Sequence, residues 1–248
     1  MSRPRLHPKK LSSRVLDFIY PSVCELCKCS LSGGKSLCSP CQDQLQRINY
    51  PFCEKCGEVF DGNFSEDFRC QNCLGLSFDF DFARASLKGL AQSFHLVHGL
   101  KYRRQFFLAS TLAHFLHQTL EEDPRFHGYS DAILIPVPLF WRRQQWRQGN
   151  QAHELSRELA KLSGHQSLNL LKRIRPTSSQ TQLNRKQRLS NLRGAFIIRK
   201  KHLDKVARKN IILIDDVFTT GATAHECARI LKRDGSARKV AILTLIRG

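Results

Sequence analysis

IILIDDVFTTGAT, residues 211–223, carries the strongest signal in the chain. Four apolar residues, Ile211 to Ile214, run directly into two adjacent acids, Asp215 and Asp216. A Thr-Thr-Gly-Ala-Thr turn follows, and then a helical pattern. A short run that is apolar at every position reads as a strand covered on both faces, as strands of a parallel sheet are. Around it, AILIPVP (132–138), AFIIRK (195–200) and KVAILTLI (239–246) read as strands. NQAHELSRELAKLS (150–163) reads as a helix with Asn150 as N-cap, and TGATAHECARILKRDG (220–235) as a helix closed by Gly235. Residues 89–120 carry Leu90, Phe94, Val97, Leu100, Leu108, Leu112, Phe115 and Leu116 at helical spacing, interrupted by a basic turn at KYRRQ, 101–105. LGLSFDFDFARAS (74–86) alternates and reads as a strand, and residues 12–20 as a short amphipathic helix. Strand–helix alternation with apolar strands predicts an α/β domain built on a parallel sheet flanked by helices.

In such a sheet, ligands bind beyond the carboxyl ends of the strands. Asp215 and Asp216 stand at one of those ends. The turn after them opens a helix N-terminus, where free N–H groups and the positive dipole end favour an anion. Thr219, Thr220 and Thr223 add hydroxyls, and Gly221 permits close backbone approach. Carboxylates accept hydrogen bonds from sugar hydroxyls and tolerate Mg²⁺. The stretch therefore predicts a sugar phosphate as ligand.

The N-terminal part carries a different signal. Eight of the ten cysteines form four C-x-x-C pairs within 50 residues: CELC, CSPC, CEKC and CQNC. Two such pairs close a tetrahedral Zn²⁺ site. Sequential pairing assigns Cys24, Cys27, Cys38 and Cys41 to one ion and Cys53, Cys56, Cys70 and Cys73 to the other; a cross-braced pairing satisfies the same spacing. Four thiolates leave no open position, so both ions are expected to be structural. Gly57 suits a knuckle turn needing φ > 0. Cys29 is surplus to these sets, and Cys227 reads as a small core residue. Disulfides fit poorly in a chain whose N-terminus, MSRPRLHPKKLSSRVLDFIYPSVC, has too short and too polar an apolar segment for a signal peptide. No run is long enough to span a bilayer, so stable membrane insertion is not expected and a cytoplasmic location is.

Charge is uneven along the chain. Residues 1–80 hold 10 Lys/Arg against 9 Asp/Glu, whereas residues 142–209 alone hold 18 against 3, a net of +15. An excess confined to one segment points to a polyanionic partner, a nucleic acid or a small polyphosphate. Within FWRRQQWRQ, Trp141 and Trp146 are interleaved with Arg142, Arg143 and Arg147; aromatics beside arginines can stack the bases of single strands, and one of the two tryptophans is expected in the core. Lys101 and Arg103, in LKYRRQ, join them as diphosphate or nucleic-acid candidates. Residues 171–193 lack an apolar stripe and read as a long mobile loop; it supplies Arg175, Arg185 and Arg188 to the same candidate set. His95, His98, His114 and His117 share helical spacing and read as satisfied surface or core histidines.

IILIDDVFTTGAT resembles the phosphoribosyl-diphosphate (PRPP) motif of type I phosphoribosyltransferases, with Phe218 bulkier than the residue usual there. That resemblance implies that Asp215 and Asp216 hold the ribose hydroxyls and that the motif residues Val217, Thr219, Thr220, Gly221, Ala222 and Thr223 frame the 5-phosphate, with Mg²⁺ accompanying PRPP. It also implies a diphosphate loop near Arg142, Arg143 and Arg147, and a mobile loop that closes over the ligand. The order of cysteine knuckles, LKYRRQ, PVPLFWRRQQWRQGNQA, the PRPP motif and TLIRG resembles the ComF family over residues 16–247. The resemblance implies a basic arm with a short helix (1–20), a double zinc ribbon (21–78) and a type I phosphoribosyltransferase-like domain (79–248). It further implies a role in natural competence with single-stranded DNA and a helicase or DNA-processing partner. The family alternatives are a phosphoribosyltransferase acting on an unidentified acceptor, a PRPP sensor, and a GntX-like protein tied to gluconate utilisation. No catalytic residue is assigned, because no stretch reads as a pocket for an accepting base.

Overall fold

The computed structural model describes residues 22–32, 35–60, 62, 68–176 and 191–248. The helix expected at 12–20 and the arginines at 185 and 188 lie outside the described residues. The chain divides into two compact units, residues 1–44 and 45–248.

In the first unit, β1 (Ser22–Val23) pairs antiparallel with β2 (Ser30–Leu31) across a knuckle, and α1 (Ser39–Asp43) follows. Lys28 takes a left-handed conformation, φ 63°, and its N–H donates to the Cys24 carbonyl at 2.9 Å. The Cys24 N–H donates in turn to the Cys29 carbonyl at 2.8 Å, folding the CELCKC segment back on itself. Leu37, Cys24 and Cys41 are buried.

The second unit is built on a five-stranded parallel sheet. Its strands are β3 (Ala83–Lys88), β4 (Ile133–Pro136), β5 (Gln166–Ser167), β8 (Asn210–Phe218) and β9 (Lys239–Arg247), in the spatial order β3-β9-β8-β4-β5. Helices α2 (Ala91–Tyr102) and α3 (Leu108–Glu122) sit between β3 and β4, α4 (Trp141–Arg147) and α5 (Gln151–Ser163) between β4 and β5, and α7 (Ala222–Arg233) between β8 and β9. A four-residue helix, α6 (Leu203–Val206), precedes β8. The helix–turn–helix expected over 89–120 and the Asn150 cap both form; the Asn150 side chain accepts from the Ala152 N–H at 3.1 Å.

The alternation of β8 sorts its side chains onto two faces. Ile211 and Leu213 join one cluster with Ile133, Ile135, Val240, Ile242 and the α7 residues Cys227, Ala228 and Leu231. Cys53, Cys56, Cys70 and Cys73 belong to that same cluster with Phe78 and Phe80, so the second cysteine set is part of the sheet's hydrophobic core. Gly57 turns the knuckle with φ 68°, as its sequence position requires, and a Cβ there would stand 3.0 Å from the Ala83 carbonyl oxygen.

Three elements differ from their sequence reading. The alternating segment 74–86 is strand only from Ala83, and β3 runs on to Lys88. Upstream, Phe78 and Phe80 stack at 4.9 Å and enter the core instead of extending the edge. AFIIRK does form a strand, β7 (Phe196–Ile198), yet it lies outside the parallel sheet. It pairs antiparallel with β6 (Leu171–Arg173), which occupies the start of the segment read as loop. The end of α7 does not use Gly235 as a left-handed cap, because Ser236 takes that conformation at φ 53°. Gly235 is required for space: a Cβ there would meet Ile198 Cδ1 and Val206 Cγ1 at 2.6 Å and the Leu231 oxygen at 2.8 Å. Gly235→Ala is therefore expected to destabilise the fold by about 1–3 kcal/mol through overpacking, read as a lower urea midpoint with unchanged slope.

Candidate functional site

The Asp-Asp motif stands at the carboxyl end of β8, where the sheet's topology places ligands. Asp215 continues the face of Ile211 and Leu213, and Asp216 the face of Ile212 and Ile214. The two acids are thus held on opposite sides of one strand end. Asp215 lines a small cavity with Val137, Val217, the 219–223 turn and Thr244. Burial first, and the Asp216 charge second, push its carboxyl up to about 7. Asp216 forms an ion pair with Lys101 in the last turn of α2, at 2.9 Å. The Asp216 N–H also donates to the Asp215 carboxylate at 2.9 Å, which ties the two acids together.

The turn beyond them is set by contacts that the sequence did not advertise. Gly221 adopts φ 78°, and a Cβ there would stand 2.8 Å from the Phe218 ring. Phe218, the bulky departure in the motif, is buried and edge-on to Phe80 at 5.9 Å, so it anchors the turn to the core. Arg247 donates through Nη1 to the carbonyls of Phe218 (3.0 Å) and Thr219 (2.9 Å), and ion-pairs through Nη2 with Glu58 of the second knuckle. The only trace of this role in the sequence was a basic residue ending an apolar strand. No side chain among the described residues caps the first turn of α7, whose leading N–H groups border the same cavity. Ala222 is buried, whereas Thr219 is exposed and Thr220 and Thr223 are partly so. The arrangement can present backbone and hydroxyl donors to an anion beside the Asp215 carboxyl, with Asp216 on the other side of the strand end.

Several basic residues surround Lys101, which itself reaches this strand end. α4 contains no buried residue; Trp141 and Trp146 are 52% and 70% exposed, so neither is a core tryptophan. Arg142 lies over the Trp141 ring at 5.3 Å. Trp146 meets Tyr102 edge-on at 5.6 Å, and Arg147 donates to the Tyr102 hydroxyl at 3.1 Å. Lys101, Tyr102, Arg104, Trp146 and Arg147 line one recess. Lys101 therefore belongs both to this recess and to the Asp216 ion pair. Arg143 and Asp215 both lie within electrostatic reach of the buried Arg173. Arg103 ends α2 on the exposed side, and Arg175 donates to the Arg193 carbonyl. Asn150 Nδ2 donates to the Val137 carbonyl at 3.0 Å, so the Gly-Asn-Gln turn fixes α5 against the loop after β4.

Both cysteine groups have donor sets suited to zinc. The thiols of Cys53, Cys56, Cys70 and Cys73 lie within 4.8 Å of one another and are all buried. In the first group, the thiols of Cys24, Cys27, Cys29 and Cys38 meet the same limit. Cys29, surplus by spacing alone, is thus brought into the cluster. Cys41, expected in this set by its spacing, is buried in α1 but is not among the four thiols that meet this limit. Soft sulfur donors at this separation fit a tetrahedral ion.

The model of the double zinc ribbon domain matches residues 15–74. Competence protein F of Haemophilus influenzae is 32% identical over 216 residues, covering 86% of this chain and 91% of that protein. This chain belongs to the ComF family. Other relatives of this ComF chain include the DNA utilization protein YhgH of Escherichia coli K12, 30% identical across 88% of this chain and 93% of that one. Competence protein ComFC of Bacillus subtilis is 36% identical over 46% of this chain and 44% of that protein. The two cysteine sets of this ComF protein fit the double ribbon and the structural zinc expected of them. No helix among the described residues is long and apolar enough to cross a membrane.

Proposed function

We propose that this ComF protein binds PRPP, or a closely related sugar phosphate, together with Mg²⁺, and engages single-stranded DNA on the adjoining basic surface during natural competence. Residues 21–78 form the metal module in this reading and 79–248 the ligand domain, acting in the cytoplasm beside a helicase or other DNA-processing factor. The observation that carries the proposal is Lys101. Its ammonium holds Asp216 at the candidate ribose site, and its side chain also lines the recess formed by Tyr102, Trp146 and Arg147. A ligand at the acids must exchange with Lys101, and Lys101 touches the surface offered to DNA, so the two ligands share a residue. The names of the relatives, a competence protein and a DNA utilization protein, favour DNA handling over gluconate metabolism.

Calorimetric titration of PRPP with Mg²⁺ into the zinc-loaded protein tests the first half. Saturable binding is expected, and it should vanish in Asp215→Asn/Asp216→Asn; a wild-type protein that takes up no PRPP would sink this reading. Diphosphate release during the titration would instead identify a transferase. For the second half, Arg142→Ala/Arg143→Ala/Arg147→Ala should weaken binding to oligothymidylate. It should also flatten the dependence of log K on log salt by about 2, at roughly 0.7 per lost phosphate contact. An unchanged slope would place the DNA elsewhere.

A further inference from the structure

We propose that the first zinc position is a five-thiol site at which Cys29 and Cys41 compete for the fourth place, leaving one surplus thiol beside the ion open to soft electrophiles. Two tetrads share three members, one given by thiol distances and the other by the C-x-x-C spacing of Cys38 and Cys41. Cys24, Cys27, Cys29 and Cys38 form a complete set, their thiols all within 4.8 Å of one another. Cys41 completes the C-x-x-C pair with Cys38 at the start of α1 and is buried. Zinc–sulfur bonds of about 2.3 Å place tetrahedral sulfurs about 3.8 Å apart, and a closed structural site takes four of them. Cys27 and Cys38 already stand 3.6 Å apart, so the shared part of the site is preformed.

Local structure brings the fifth thiol in. The left-handed Lys28 and the bond from the Cys24 N–H to the Cys29 carbonyl reverse the chain, so Cys29 returns to the site of Cys27. On the other side, Cys38 stands at the N-cap position of α1 and Cys41 lies one turn on, on the same helix face. The two competitors differ in access: Cys29 is exposed and Cys41 is buried. With Cys41 on the metal, the surplus thiol faces solvent; with Cys29 on the metal, it is sheltered. Modification of Cys29 therefore commits the site to Cys41 without loss of zinc. The second site has four cysteines for four places, all buried, and allows no such exchange.

The test uses the full-length, zinc-loaded chain and N-ethylmaleimide. In the reaction, the Cys29 sulfur bonds to one alkene carbon of the maleimide, the π bond breaks, and the thiol proton ends on the neighbouring carbon. Peptide mass spectrometry should find Cys29 as the fast site, with zinc remaining at two ions per chain by metal analysis. In Cys41→Ser, zinc should stay at two per chain and Cys29 alkylation should slow at least tenfold, because Cys29 now occupies the metal. Cys29→Ser should also keep both ions, whereas Cys24→Ser should keep one. The proposal is overturned if Cys41→Ser loses one ion, or if Cys29 alkylates at an unchanged rate in that variant, since Cys29 would then be a bystander. Loss of an ion from Cys29→Ser would overturn it from the other side. Retention of the ion at the second site serves as the check that each variant is folded.

Discussion

Asp215→Asn is expected to be more stable than the parent protein above neutral pH, and it is also expected to lose PRPP. Burial and the Asp216 charge raise the Asp215 carboxyl from 3.8 to about 7, so the folded state holds this proton more tightly than the unfolded chain. Its contribution to stability is complete below about pH 4 and is lost as pH rises through 7. Once ionised, this partly buried acid is expected to disfavour the fold by roughly 4 kcal/mol, since each tenfold change in proton affinity is worth about 1.4 kcal/mol. Asparagine keeps the size and sheds the charge. Urea unfolding should place the variant about 2 kcal/mol above the parent at pH 5.5 and about 4 kcal/mol above it at pH 8.5. A gap that does not widen with pH would mean that Asp215 ionises freely. A widening gap would mark an acid retained against stability, as a ligand-binding group is. PRPP affinity of the parent should correspondingly rise between pH 6 and 8, as Asp215 becomes an acceptor.

Cys56→Ser should have the second large effect. In most ribbons, loss of the metal melts a small appendage. Here the four thiols at 53, 56, 70 and 73 are buried in one cluster with Phe78, Phe80, Val240, Ile242 and Cys227. Losing the ion leaves three thiols without their partner inside the core of the parallel sheet. Structural zinc is worth on the order of 10 kcal/mol in small ribbons, and half of that would lower the melting temperature of a domain this size by about 10–20 °C. Circular dichroism should show the drop in sheet signal as well as in the ribbon. A melting curve unchanged from the parent would show that the sheet closes without the metal. Glu58 extends the effect to the candidate site: it lies just beyond the knuckle and ion-pairs with Arg247, which holds the carbonyls of Phe218 and Thr219 in the turn after the acids.

Much of this was legible in the residues. Four apolar positions ending on two acids, set among alternating strand and helix patterns, indicated β8 and its place in a parallel sheet, because a strand covered on both faces carries such a run. C-x-x-C pairs identified the metal ligands in kind, and Asn150 marked a helix start through its own chemistry. What stayed hidden depended on contacts between distant segments. Nothing near Lys101 in the chain indicates that it reaches Asp216, and nothing near Arg247 points to Phe218. Spacing counted Cys29 out of the metal set, while a single left-handed residue, Lys28, brings it back. Gly235 looked like a helix stop, since a glycine needed for space and one needed for φ are written with the same letter.

The pairing of β3 with β9 has a consequence for how the chain is made. Ala83 lies beside Ile242 and Lys88 beside Arg247, so one of the first sheet strands to leave the ribosome waits for the last to find its neighbour. The buried cysteines near residue 60 wait as well, since Val240 and Ile242 complete their surroundings. Domains of this contact order form late and expose strand edges meanwhile. A chain cut short before β9 would therefore keep an apolar strand without its neighbour and buried thiols without Val240 and Ile242 around them.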